Sequence, residues 1–130
     1  MQSAYQQRYL PSEGVWLLSA PDISFEIIVG GDSSSPSASR LELLDAIGPR
    51  ISSVSERAKA YLDEFVDRNR FAQGAEWFFE GLELGRNSSD AAHEFHCLFS
   101  IEGDTYGLWY VTYGRTAKDF FPVKFARRQQ

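Results

Sequence analysis

His93, His96 and Cys97 lie together in the run His-Glu-Phe-His-Cys, and they are the side chains best suited to hold a metal ion or act as a nucleophile. Either role needs the groups to converge on one point. Histidines three apart share a face on a helix but point to opposite faces of a strand. The segment His93 to Glu102 reads as a strand, so the two histidines cannot jointly hold an ion, and no metal is expected. The run also lacks the helical spacing of the H-E-x-x-H zinc motif. By the same alternation Cys97 diverges from His96 and falls on the apolar side, where a thiol packs as a small hydrophobe. Gly30 to Ser35 is rich in glycine and serine but lacks the lysine and glycine spacing of a phosphate loop, and Asp32 would repel phosphate. Carboxylates are plentiful, yet no pair has a spacing that prescribes acid–base work. No catalytic residue and no cofactor are therefore assigned, and the chain reads more readily as a binding protein than as an enzyme.

Composition narrows the partners. The chain has 130 residues, of which 43% are hydrophobic and 15% aromatic. That suits one domain, 1–130, with a real core. The formal net charge is -5, which disfavours nucleic acid, since phosphate neutralisation supplies most of that affinity. Lys124, Arg127 and Arg128 make the C-terminus locally basic, which reads as a solvated strand end. A single cysteine permits no internal disulfide and suits a reducing compartment. Residues 1–14 lack the apolar stretch of a secretory signal. No apolar run nears the roughly 20 residues that span a membrane. A cytoplasmic protein without membrane contact is expected.

The elements that must position these residues follow from periodicity. Residues 1–13 are polar with scattered aromatics and read as an N-terminal arm. Gly14 to Ala20 is a short apolar run, and Ile23 to Val29 alternates as a strand does. Ser39 and Glu42 have the spacing of a capping box. Leu44, Ile47, Ile51, Val54, Ala58, Tyr61 and Phe65 then mark one stripe of a helix running to about Arg70. Gly48-Pro49 interrupts it at a cost of about 3 kcal/mol or more, but the apolar phase continues. One kinked helix, or two nearly in line, is expected, with Glu64 and Arg68 placed for an ion pair. After it, Glu76 to Leu84, His93 to Glu102, Thr105 to Arg115 and Phe120 to Arg127 read as strands, with a polar loop over 85–92. In the first of these, Trp77 and Phe79 are out of phase with Leu82 and Leu84 unless a β-bulge at Gly81 unites them. The whole is an α+β domain: a long helix on an antiparallel sheet of five to six strands, in the order β-β-α-β-β-β-β.

Gly103-Asp104 suits a two-residue hairpin turn. That turn pairs Ile101 with Tyr106 and sorts the side chains into two sets. Phe95, Cys97, Phe99 and Ile101, with Tyr106, Leu108, Tyr110 and Thr112, would meet the helix. Glu94, His96 and Leu98, with Trp109, Val111 and Tyr113, would face outward, joined by Phe78, Glu80 and Glu83 beyond the bulge. An outward face should be polar. An aromatic one rimmed by carboxylates is a candidate contact surface for a basic protein. Its proposed residues are Trp109, Tyr113, Phe78, His96, Glu80 and Glu94. The N-terminal arm or a second copy of the chain, in a homodimer, could equally cover it.

The stretch from Tyr61-Leu62-Asp63-Glu64-Phe65 through Glu76-Trp77-Phe78-Phe79 and Asp104 to Val111, closing on Phe121-Pro122-Val123-Lys124-Phe125-Ala126-Arg127, resembles small bacterial proteins that include immunity proteins of polymorphic-toxin systems. The resemblance is one of layout, over about half the chain, and carries over no site residue. It implies a cytosolic, non-enzymatic inhibitor of a partner, such as a basic toxin. Two other readings stand beside it. One is a small-molecule or enzymatic domain with a pocket between bent sheet and kinked helix, lined by Tyr61, Phe65, Phe99, Tyr106 and Tyr110. The other is an acidic, secretion-chaperone-like dimer.

Overall fold

The helix stripe and the strand alternation both form, and they meet as two layers. The computed structural model describes residues 5–87 and 89–130; Met1–Ala4, the start of the expected arm, and Ser88, within the expected polar loop, lie outside the described residues. Seven strands make one sheet: β1 (Gln6–Leu10), β2 (Val15–Ser19), β3 (Glu26–Gly30), β4 (Trp77–Leu84), β5 (Phe95–Ile101), β6 (Gly107–Arg115) and β7 (Phe120–Gln129). They lie side by side in chain order, as short connections favour. The sheet thus has one strand more than expected, because Gln6–Leu10 pairs along β2 instead of lying over the domain. All neighbours are antiparallel except β3 and β4, which run parallel. The helical crossover between those two carries the chain back to the end of the sheet where β3 began, so the next strand repeats its direction.

The helical layer is α1 (Ala38–Ile47), one 3-10 turn over Gly48–Arg50, and α2 (Ile51–Phe65). Proline cannot donate the bond an α-helix needs at Pro49, and the tighter turn absorbs that loss. Ser37, not Ser39, caps α1 and accepts the Arg40 N–H at 3.5 Å. The Ser37 N–H is held by the Gly30 carbonyl at 2.8 Å, which draws the helix start back toward the end of β3. Leu44, Ile47, Val54, Ala58 and Leu62 are buried along one stripe. Phe65 is 58% exposed, because Val66 is already extended and Leu62 fills the last core position. Ending there also dissolves the expected Glu64–Arg68 pair: Arg68 binds Asp63 and Glu76, each at 3.0 Å. No helix among the described residues is long and apolar enough to cross a membrane.

The expected bulge is present. Phe79 pairs with Phe99 and Gly81 with Leu98, leaving Glu80 as the extra residue. Trp77, Leu82 and Leu84 then join the core, with Phe79 packed against it. A Cβ on Gly81 would lie 2.3 Å from the Glu26 carbonyl oxygen, so only glycine allows β3 to pair so closely there.

The β5–β6 hairpin departs from expectation. Its connection runs from Glu102 to Tyr106, and Phe99 pairs with Trp109, Cys97 with Val111 and Phe95 with Tyr113. This is one residue away from the register of a two-residue turn, and such a slip turns every side chain of one strand to the other face. Trp109 and Tyr113, expected outside, are 7% and 0% exposed and belong to the core. The Tyr113 hydroxyl donates to the Val54 carbonyl of α2, and its ring stacks on Phe95 with centroids 4.9 Å apart. Trp109 packs edge-on to Trp77 at 5.4 Å.

The longer connection has a cause. The Asp104 carboxylate accepts the Trp109 indole N–H at 2.8 Å and the Arg127 guanidinium at 2.6 and 2.9 Å. Gly103 adopts φ +90, and a Cβ there would meet the Phe71 carbonyl oxygen at 2.2 Å, so the corner folds down onto the chain after α2.

Three outcomes check this register. Trp109→Ala should lose about 3–5 kcal/mol of stability, and Tyr113→Phe about 1 kcal/mol, both read by urea unfolding; unchanged midpoints would mean both side chains lie outside the core. The Arg127 hydrogen bonds and the Trp109 N–H hold the Asp104 carboxyl below its ordinary value. A depressed carboxyl lends stability above its unfolded pKa of about 3.9 and loses it as pH falls through the folded value. Asp104→Asn should therefore unfold more easily at pH 7, with the gap to the native protein closing below about pH 4.

Candidate functional site

The helices cover one face of the sheet, so the other is where a contact surface can form. Cross-strand pairing defines its rows. One runs Leu17, Ile28, Glu83, His96, Thr112, Lys124 from β2 to β7. The next runs Glu26, Gly81, Leu98, Tyr110, Ala126. Phe78 and Ser100 pair beyond them.

At the middle of the first row stands Glu83, 1% exposed. Its Oε2 accepts from Arg86 at 2.9 Å, while Oε1 has no partner among the described groups. Arg86 also reaches Glu13 on the β1–β2 turn. Partial burial opposes the charge on Arg86, but the two carboxylates outweigh it and raise its pKa. Beside Glu83, the His96 Nδ1 lies 2.9 Å from the Thr112 hydroxyl, and Nε2 lies 3.8 Å from Asp90. The His96 ring meets Tyr110 edge-on at 6.1 Å. Burial, then the Glu83 charge, raises the Tyr110 pKa, and the Arg128 guanidinium lies 4.0 Å over its ring, a cation–π contact. Arg40 donates to the Asp90 and Ala91 carbonyls, both at 2.9 Å, tying this loop to α1.

These groups tie the middle of the sheet to the β1–β2 turn and to the loop before β5. A general base must reach the proton it takes, whereas Glu83 is closed off and His96 faces Thr112 and Asp90. His93 lies exposed before β5, apart from His96. Among the described residues no group of three or more His, Cys, Asp or Glu is arranged to hold a metal. Cys97 is buried in the core, and burial drives its pKa up.

Of the six residues expected to form a contact surface, Trp109 and Tyr113 are withdrawn into the core by the hairpin register. Phe78 and Glu80 do come together: Phe78 is 57% exposed, and the neighbouring Glu80 accepts the hydroxyl of Ser100, the cross-strand partner of Phe78. His96 lies on this face, partly buried. Glu94 precedes β5, at the opposite end of that strand from Ser100 and Phe78, about 20 Å away at strand rise. Tyr110 and Thr112, expected inside, lie on this face. The polar interruption Leu82-Glu83-Leu84 is the signal in the sequence for the buried carboxylate; nothing local points to its union with Arg86 and Glu13.

The aromatic pocket does not form either. Phe99 is in the core, Tyr110 is on the uncovered face and Tyr106 is exposed on the hairpin connection. A cleft of about 330 Å³ opens instead where α1 meets the 3-10 turn.

Arg86→Ala should destabilise by about 1–3 kcal/mol, because it leaves the buried Glu83 carboxylate without its donor. Glu13→Ala, at the exposed end of the network, should cost less than about 1 kcal/mol. Urea unfolding of the two variants compares them, and equal losses would remove the distinction between the buried and exposed ends. Compared with known proteins, the chain matches no family model, no curated protein and no solved structure.

Proposed function

We propose that this is a non-enzymatic cytoplasmic protein that binds another protein through the uncovered sheet face, in the manner of an immunity-type inhibitor of a basic toxin. The observation that carries this reading is Phe78. It is 57% exposed on the uncovered face, opposite Ser100 of β5, where an apolar ring gains nothing from water. Burying such a side chain in an interface is worth about 1.5–3 kcal/mol. The bulge turns Glu80 out beside it, and a carboxylate next to an aromatic anchor orients a cationic partner and speeds its approach. Lys124 and Arg128 reach other parts of this face, so the preference for a basic partner is local to Phe78 and Glu80. The layout resemblance to immunity proteins supports the same reading.

The test is a double variant, Phe78→Asp with Glu80→Lys, both at exposed positions. Its thermal midpoint should stay within about 3 °C of the native protein, as surface substitutions usually do. Immobilised native protein should retain a basic protein from a lysate of the source cells, and the variant should lose it at least tenfold. Equal retention by both would overturn the reading. So would a native dimer in sedimentation that the variant splits, since the face would then serve self-association.

A further inference from the structure

The interruption at Gly48-Pro49 has a consequence on the covered side of the sheet. Between the end of α1, the β2–β3 turn and strands β3 and β4 lies the cleft of about 330 Å³. That is at the small end of the roughly 300–1,000 Å³ typical of small-molecule sites. Ile27, Leu44 and Leu82 close its floor and are almost fully buried. Phe25 and Ile51 line it and are half-buried, so apolar surface stays in contact with solvent within the cleft. A straight helix would continue the packing of Leu44 and Ile47 into the next turn. The 3-10 turn instead puts Gly48 and Pro49 at the rim, and a Cβ added to Gly48 would meet nothing within 4 Å.

Two carboxylates give this mixed cleft a sign. Asp22, from the β2–β3 turn, and Asp45, from the last turn of α1, both line it. Among the described residues neither forms an ion pair, and the cleft lining contains no lysine or arginine. Nearby Arg50 is turned away, toward the Lys118 carbonyl and Asp119. An anion would be repelled, whereas a cation gains an attraction to both carboxylates that a neutral molecule lacks.

We infer that this cleft is a binding site for a small organic cation with an apolar body, a hydrophobic primary amine. The hydrocarbon part enters over Ile27, Leu44 and Leu82, and the ammonium group lies between Asp22 and Asp45. This site is separate from the uncovered sheet face and does not depend on the partner proposed there.

Three isosteric probes test the sign and the place: n-octylamine, n-octanol and n-octanoate, titrated into isotopically labelled protein. Amide shifts should move at Asp22, Asp45 and Ile51 with octylamine at the lowest concentration, with octanol at least fivefold higher, and not with octanoate. Raising the salt from low to about 0.5 M should weaken only the amine. Asp22→Asn with Asp45→Asn should lower amine affinity at least tenfold and bring it level with octanol. Ile51→Trp, filling the cleft from a half-buried position, should weaken amine and alcohol alike. Octanoate binding as well as the amine, shifts centred away from these residues, or an amine affinity that the double asparagine variant leaves unchanged would each overturn the inference.

Discussion

The Asp104 carboxylate sits at a corner between β5 and β6, yet it binds groups on both β6 and β7. Taking the Trp109 indole N–H and the Arg127 guanidinium together requires the connection to run on to Tyr106 before pairing begins. That requirement selects between two registers that differ by a single residue. Because side chains alternate along a strand, the choice assigns whole sets of residues to opposite faces. With the observed pairing, Phe95 stacks on Tyr113, Trp77 meets Trp109, and the Tyr113 hydroxyl reaches the α2 backbone. The other register would offer the helix Thr112 and Tyr110 in their place. The aromatic core and the position of α2 over it are consequences of that corner.

The same register explains the polarity of the uncovered face. Its centre holds a glutamate, a histidine and a threonine in one cross-strand row, with Arg86 on the glutamate and Arg128 over Tyr110 in the next row. A buried carboxylate with one satisfied oxygen is costly unless a counter-charge stays with it. Arg86 supplies that charge and, through Glu13, also fastens the first strand pair to the middle of the sheet. The cluster is thus structural in its contacts. Away from this cluster, the face exposes the apolar ring of Phe78 and, beside it, the carboxylate that the bulge turns out.

The helical layer resolves a local conflict in a way that leaves space. Pro49 cannot sit within an unbroken α-helix, but the apolar stripe on either side needs the same sheet. One 3-10 turn keeps the stripe in phase and sacrifices packing only at the joint. The cleft there is bounded by side chains that arrive from the β2–β3 turn, from α1 and from β4, segments remote in the chain. Its two carboxylates line one cleft only because those segments converge.

Local pattern was enough to read the α+β class, the helix with its interruption, the bulge at Gly81 and six of the seven strands. Each rests on periodicity, turn chemistry or the backbone limits of proline and glycine, which act over a few residues. The pairing of Gln6–Leu10, the parallel β3–β4 contact and the union of Glu83 with Arg86 and Glu13 depend on segments far apart in the chain. The fate of Trp109 and Tyr113 falls in the same group. Alternation showed that each lies on one side of its strand, but which side was decided by a carboxylate that binds an arginine on the next strand, a contact that exists only once β6 and β7 are already paired.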